Sequence, residues 1–326
     1  MKLSLEDTSV LKGIGIMLML AHHLFFYQNG LYEDVIFNGI NIVHEIGTWA
    51  KVCVTLFVFL SGYGLTISAL KTEGVKDLKS FYWHRYKKLY LNYWFVWLIF
   101  VPIGVFVFDR TLIDAYQTHI AIKFVLDILG ISWLFVTLGY NPTWWFYSCI
   151  ILLYLVYPLL FKLMKMDMAV LLTFAFVLSF LPIPFLYAIQ FNIIAFVLGM
   201  WMANTKSPPP TRTGIFLIFI FSMLVVLCLL RNNNLYPILV DALISFLMVL
   251  TYKLIHTPRI FSISLSFLGR HSMNIFLFHT FIFKFWFKDF VYSSRNPIII
   301  FLTLLAICLL ISIALEWIKK YTIYKL

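Results

Sequence analysis

LKGIGIMLMLAHHLFF, residues 11–26, is the stretch on which the reading of this chain turns. It is apolar enough to enter a bilayer, yet it carries Lys12, His22 and His23. An ionisable side chain inside a membrane costs roughly 2.5–3.5 kcal/mol on insertion scales, so its presence points to a functional site. At 3.6 residues per turn the eleven-residue step from Lys12 to His23 returns to within about 20° of the same helix face and covers ~16 Å of axis. His22 falls about 100° off that face, so the two histidines are expected to play different parts.

The rest of the chain is equally apolar. Of 326 residues 62% are hydrophobic and 12% charged, and the mean hydropathy is +0.93. Soluble domains carry about 25% charged residues, so an integral membrane protein is expected, with residues 1–326 forming a single membrane domain. The first apolar run is read as a retained span rather than a signal peptide, since no small-residue cleavage site follows it. Cys53, Cys149, Cys228 and Cys308 lie in apolar runs without CxxC or Cys/His pairing, so they read as core fillers.

About 17–25 apolar residues cross a bilayer. Ten stretches qualify: 9–29, 49–70, 90–108, 144–163, 168–187, 190–205, 213–230, 235–255, 266–287 and 297–318. An eleventh candidate, 120–138, is interrupted by Lys123, Asp127 and Gly130 and is assigned to an interfacial or re-entrant segment. Short cytoplasmic loops carry the Lys/Arg excess. Ten spans with both termini in the cytoplasm divide the loop Lys/Arg sixteen inside to six outside, whereas counting 120–138 as a span divides them eleven to eleven. The expected fold is an all-α polytopic helix bundle in the plasma or inner membrane. Turns are expected at Pro182 and Pro184, at Ser207–Pro210 and at Arg231–Asn234. The net charge of +11 is an inner-surface charge suited to anionic lipid headgroups or an anionic cytosolic ligand. It gives no reason to expect nucleic acid.

Three further stretches depart from a generic bundle. FYWHRYKKLYL, residues 81–91, places Arg85, Lys87 and Lys88 at the cytoplasmic entry to the third span, among aromatics that suit any membrane boundary. NPTWWFYSCIILLYLVYP, residues 141–158, opens the fourth span with Trp144 and Trp145, which an interfacial aromatic belt would explain. FLGRHSMNIFLFH, residues 267–279, puts Arg270, His271, Asn274 and His279 in or beside the ninth span. Arg270 and Asn274 are spaced i, i+4 and are expected to share a face.

These four stretches, together with CVTLFVFLSGYGLTIS at 53–68, resemble acyltransferase family 3, integral membrane acyltransferases that O-acetylate bacterial surface polysaccharides and related acceptors. The resemblance covers nearly the whole chain. Its most specific element is a basic residue followed after ten residues by histidine in the first span, met by Lys12 and His23, with Ser61-Gly62-Tyr63 following in the second. It implies that Lys12 and His23 are needed for acyl transfer. The family's paired arginines before the third span map onto Arg85 and Lys88, where lysine removes the bidentate phosphate fork. Many members place a glutamate where this chain has Ile150, so a carboxylate at that position cannot orient the histidine.

The resemblance implies acetyl-CoA or another acyl-CoA as donor, a glycan or lipid-linked glycan of capsule or exopolysaccharide type as acceptor, no permanently bound cofactor and no metal. A neutral imidazole can take the acceptor's hydroxyl proton, which assigns the base to His23. The rim of Arg85, Lys87 and Lys88, with Lys12 just inside, is the expected docking site for the phosphates of the donor. His22, Asn274 and His279 are candidates for positioning the acceptor. Ser61 is a candidate nucleophile against which stands a small-residue helix contact. Direct attack and double displacement through acyl-His23 both fit these residues. A transporter or flippase of lipid-linked sugars, or a non-catalytic partner of a glycan synthase, also suits polar residues within a bundle.

Overall fold

The computed structural model describes residues 2–28, 30–72, 74–75, 77–181, 187–205, 214, 220–224, 226–227, 230, 237–255 and 258–322. Most of the expected seventh span at 213–230, Cys228 and the turns expected around 182–184, 207–210 and 231–234 lie outside them.

The chain is an all-α polytopic membrane protein. Helices at Leu5–Phe25, Ile42–Lys71, Leu78–Phe106, Pro142–Met166 and Pro297–Thr322 are long and apolar enough to cross a bilayer, and Met168–Phe180 and Ile193–Asn204 are shorter apolar helices. The strands among the described residues are Ile36–Phe37 and Ile40–Asn41, paired antiparallel about Asn38-Gly39. Both turn residues have positive φ, 49° and 76°, as a tight Asn-Gly hairpin turn requires.

Local chemistry explains where the helices begin. In α1 (Leu5–Phe25) the amide of Asp7 donates to Ser4 Oγ at 3.0 Å and the amide of Ser4 donates to Asp7 Oδ2 at 2.7 Å, a reciprocal cap. α2 (Ile42–Trp49) runs through a single 3₁₀ turn into α3 (Cys53–Lys71). α4 (Leu78–Phe106) starts twelve residues before the apolar run expected at 90. The reason is Asp77, whose Oδ1 accepts from the amides of Lys79 and Ser80 at 3.0 and 3.2 Å and nucleates a helix in a polar stretch. The basic-aromatic cluster 81–91 therefore lies within a helix rather than ahead of one. α5 (Leu112–Tyr116) and α6 (Ile120–Ile128) follow. The 120–138 stretch is broken at Gly130, φ 66°, and nine residues of α6 reach only ~14 Å. It is not a continuous span. α7 (Trp145–Met166), α8 (Met168–Phe180), α9 (Tyr187–Gln190), α10 (Ile193–Asn204), α11 (Pro237–Leu254), α12 (Arg259–Arg270) and α13 (Ser272–Thr280) come next. α13 passes into a π-helical turn at Phe281–Trp286, and α14 (Lys288–Tyr292) and α15 (Pro297–Thr322) complete the order.

The chain divides into two compact units. The first comprises Met1–Leu11, Val52–His84 and Cys149–Ser266. Its centre is the contact of α3 with α10: a Cβ on Gly62 would overlap the carbonyl of Phe196, and one on Gly199 the carbonyl of Phe59. Only glycine lets the two backbones approach this closely, the usual device of membrane helix packing. α11 is tied to α3 by Thr55 Oγ1, which lies 2.6 Å from Ser245 Oγ and 3.0 Å from the carbonyl of Asp241.

The second unit comprises Lys12–Lys51, Arg85–Ser148 and Phe267–Leu326. Here four aromatic donors on one face of α4, spaced i, i+3, i+4 and i+7, hold the 127–129 segment, three through its backbone carbonyls and one through the Asp127 carboxylate. Tyr90 and Trp94 donate to the carbonyls of Leu129 and Ile128 at 2.8 Å each, Tyr93 to that of Asp127 at 2.5 Å, and Trp97 to Asp127 Oδ2 at 3.4 Å. Tyr90, which reads in sequence as part of a membrane-boundary cluster, is thus spent on a tertiary hydrogen bond.

Candidate active site

The second unit contains Lys12, His22, His23, Arg85, Lys87, Lys88, Asn274 and His279. Lys12 and His23 share the unbroken helix α1. His22 is buried and its Nδ1 lies 2.8 Å from the carbonyl of Gly47, so that nitrogen carries the proton and donates. Its ring stacks on Phe26 at 5.1 Å. These contacts are those of a packed, positioning side chain. His22 and His23 thus sit in different environments, as helical phase predicts.

His23 is half-buried, and its ring nitrogens have no hydrogen-bond partner among the described residues. Rings hold it: His279 at 5.0 Å, Tyr27 at 6.1 Å and Phe283 at 6.2 Å between centroids. His279 is fully buried and its tautomer is determined by geometry. Nδ1 lies 3.0 Å from the carbonyls of both Ile275 and Phe276, which can only accept, so Nδ1 carries the proton. Nε2 is left as an acceptor, with Thr280 Oγ1 at 3.3 Å.

Asn141, Thr143 and Trp144 hold the helix that carries His279, a role the sequence did not disclose. Asn141 Nδ2 and Trp144 Nε1 donate to the carbonyl of Leu277 at 3.1 and 2.8 Å. Thr143 Oγ1 donates to Asn141 Oδ1 at 2.9 Å and lies 3.3 Å from Thr280 Oγ1. By helical rule the Leu277 carbonyl would pair with the amide of Phe281, which turns instead to Phe278 and His279 where the helix changes pitch. Trp144 is buried, not an interfacial belt residue; the polar Asn-Pro-Thr ahead of it was the available signal.

At the other end of α1, Lys12 feels the charge of Lys88, so two of the four expected donor-site positions, from different helices, are within electrostatic reach. Lys12, Lys87 and Lys88 are exposed and Arg85 is half-buried. Arg85 and Lys88 stand three apart on α4, on one face. Ser61 belongs to the first unit, where its hydroxyl donates to the carbonyl of Phe57 at 2.9 Å beside the Gly62 helix contact.

Asn274 is buried and fully engaged. Its Nδ2 donates to Ser312 Oγ at 3.1 Å and Glu316 Oε1 at 2.8 Å, and its Oδ1 accepts from Lys319 Nζ at 2.5 Å. Arg270 does not share its face, because the helix is interrupted at His271 and Arg270 is exposed. Ile150 is a buried apolar side chain. No group of three or more metal-ligating side chains is found among the described residues.

Asp127 is a further residue missed by the sequence, which read it only as an interruption. It is 1% exposed, and its Oδ2 accepts from Tyr116 at 2.8 Å and from the amide of Tyr140 at 3.0 Å. A Cβ on Gly139 would overlap its Oδ1. Burial raises its pKa to about 6, against the lowering effect of the Tyr140, Tyr116, Trp97 and Tyr93 hydrogen bonds. The unfolded carboxyl titrates near 3.8. Because the native state binds the proton more tightly, stability falls as pH rises from about 4 through about 6. Asp127→Asn, which keeps the acceptor, is expected to flatten that part of the profile, measured as the unfolding midpoint in detergent against pH. An unchanged slope would contradict the assignment.

Residues 7–317 match the family model described as an acyltransferase domain, that of acyltransferase family 3. No curated protein and no solved structure matches the chain. A match over nearly the whole length, on a chain whose long apolar helices are those of a polytopic membrane protein, leaves one conclusion: it belongs to acyltransferase family 3 and is an integral membrane acyltransferase.

Proposed function

We propose that the chain, acting as one domain over residues 1–326, transfers an acetyl group from acetyl-CoA to a hydroxyl of a cell-surface polysaccharide or its lipid-linked precursor. The observation that carries this reading is His23: a half-buried imidazole, clamped by rings yet without a hydrogen-bond partner among the described residues, free to accept a proton. The acceptor hydroxyl gives its proton to His23 as its oxygen attacks the thioester carbonyl. The tetrahedral intermediate collapses with loss of the coenzyme A thiolate, which takes the proton back from the imidazolium. His279, its Nδ1–H committed to two carbonyls, holds the His23 ring and positions the acceptor. His22, anchored on Gly47, sets the wall beside it.

The donor binds at the opposite end of α1. Arg85, Lys87, Lys88 and Lys12 offer four cations to the coenzyme's phosphates, and the mutual repulsion of Lys12 and Lys88 is relieved when an anion enters. The ~16 Å from Lys12 to His23 along the helix suits an extended pantetheine arm. Ser61, hydrogen-bonded back to its own helix, packs rather than attacks. Inverted membrane vesicles carrying the protein, supplied with acetyl-labelled acetyl-CoA, are expected to move label into envelope glycan. Export of glycan without label transfer would overturn the reading and favour a transporter.

A further inference from the structure

Arg110, Lys284 and Trp286 are polar groups of the second unit that the proposed chemistry leaves unused, and the first two lie around one ring. The Arg110 guanidinium sits 3.6 Å above the centre of Phe285 and 4.3 Å above that of Tyr140. Its backbone is pinned: the amide donates to Gly104 at 3.0 Å, and the carbonyl accepts from the Tyr140 hydroxyl at 2.6 Å. Lys284 Nζ lies 5.4 Å from the same Phe285 ring, exposed, and its charge acts on both Arg110 and His23. Two cations on one phenyl ring repel, and a counter-ion would be expected.

The nearby carboxylates of Asp114 and Asp127 act on Arg110 electrostatically but form no ion pair with it, because their oxygens are engaged elsewhere. Asp114 Oδ2 accepts from the amide and hydroxyl of Thr111 at 2.9 and 2.7 Å, capping α5. Asp127 is enclosed by Tyr116, Trp97 and the Tyr140 amide. Among the described residues neither Arg110 nor Lys284 forms an ion pair, and Arg110 Nη1 and Trp286 Nε1 are buried donors without partners. A buried donor left unpaired is destabilising, a cost retained where a ligand removes it. Lys284 and Trp286 stand on the π-helical turn Phe281–Trp286, a local geometry that recurs at functional sites.

We propose that Arg110 and Lys284 form an anion subsite for the acceptor, gripping a carboxylate or phosphate of the glycan while the surrounding aromatic rings take the sugar face. The acceptor class is then an acidic glycan, such as a uronate-containing or phosphate-linked one. This rests on the acyltransferase reading above, since it is that reading which supplies an acceptor beside His23. The subsite differs from the donor rim, which lies toward the other end of α1 at Lys12.

The test is binding, so that it does not depend on turnover. Purified protein in phosphatidylcholine nanodiscs is titrated with methyl glucuronide and methyl glucoside, which differ in the carboxylate, with tryptophan fluorescence as the readout. The glucuronide is expected to bind at least about tenfold more tightly, as befits a charge-assisted contact, and inorganic phosphate should displace it. Lys284→Gln, an exposed substitution, and Arg110→Gln should each abolish most of the preference, whereas His23→Ala should keep it. Equal affinities, no binding of either sugar, or a preference that survives both variants would overturn the proposal. So would loss of glucuronide binding when phosphatidylglycerol is added to the nanodiscs, which would assign the cations to lipid headgroups. If the preference holds but the wild-type protein transfers no acyl group, the subsite stands and the acyltransferase mechanism falls.

Discussion

His23→Ala is expected to lower acyl transfer by about 10²–10⁴-fold, the range ascribed to a positioned general base, while the protein remains in the membrane with unchanged thermal unfolding. The ring makes no hydrogen bond among the described residues, so its removal orphans no buried partner. What is lost is stacking on His279, Tyr27 and Phe283 at the edge of a partly accessible site. His22→Ala should behave in the opposite way. Its ring is buried and its Nδ1–H satisfies the Gly47 carbonyl, so truncation opens a cavity and strands an acceptor. A lower unfolding temperature with residual transfer is the expected outcome. Labelled acetyl-CoA turnover and unfolding in detergent, run on both variants, read the contrast. Activity retained in His23→Ala would remove it from the chemistry.

Lys319→Ala is expected to produce the largest loss of stability, about 3 kcal/mol. Lys319 is 1% exposed, and its Nζ donates to Asn92 Oδ1 at 2.7 Å, Asn274 Oδ1 at 2.5 Å and Glu316 Oε1 at 3.0 Å, with the Phe95 ring 5.4 Å away. One ammonium thus joins α4, α13 and α15. Truncation leaves three acceptors short of a donor and the Glu316 carboxylate, itself only a third exposed, without its cation. His271 is linked to the same network through Ser312 at 2.9 Å. Since α13 also carries His279, loosening it should reduce acyl transfer in Lys319→Ala as well. Glu316→Gln, which removes a charge and retains an acceptor for Asn274 and Lys319, should cost less. Unfolding in detergent for the two variants checks the order; equal and small shifts would show that the network adds little.

Much of this protein could be read from its chain because a bilayer makes local rules strict. Backbone groups in hydrocarbon must pair within a helix, so apolar length located the long helices at 9–29, 49–70, 90–108, 144–163 and 297–318, whereas 168–187 and 190–205 hold shorter helices and 266–287 is interrupted at His271. Helical phase separated His22 from His23, and the two have different partners. Asp77 set the start of α4 against the hydropathy because a side-chain cap is a local feature that an apolar window ignores. Reading Trp144 and Tyr90 as boundary aromatics failed for a different reason. An indole or phenol looks the same in sequence whether its polar atom meets water or a carbonyl of another segment.

The sequence by itself therefore determined an all-helical membrane protein, the Lys12–His23 face of its first helix and the family to which it belongs. The tertiary structure alone decided that His279 meets His23, that Asn141 and Trp144 hold the turn behind it, and that Lys319 is buried rather than a marker of the cytoplasmic surface. It decided too that Arg110 and Lys284 converge on the Phe285 ring without an ion pair among the described residues. The division is physical: solvation by lipid and helical pitch act over a few residues and are written locally, whereas the pairing of buried polar groups depends on which distant segment arrives to satisfy them.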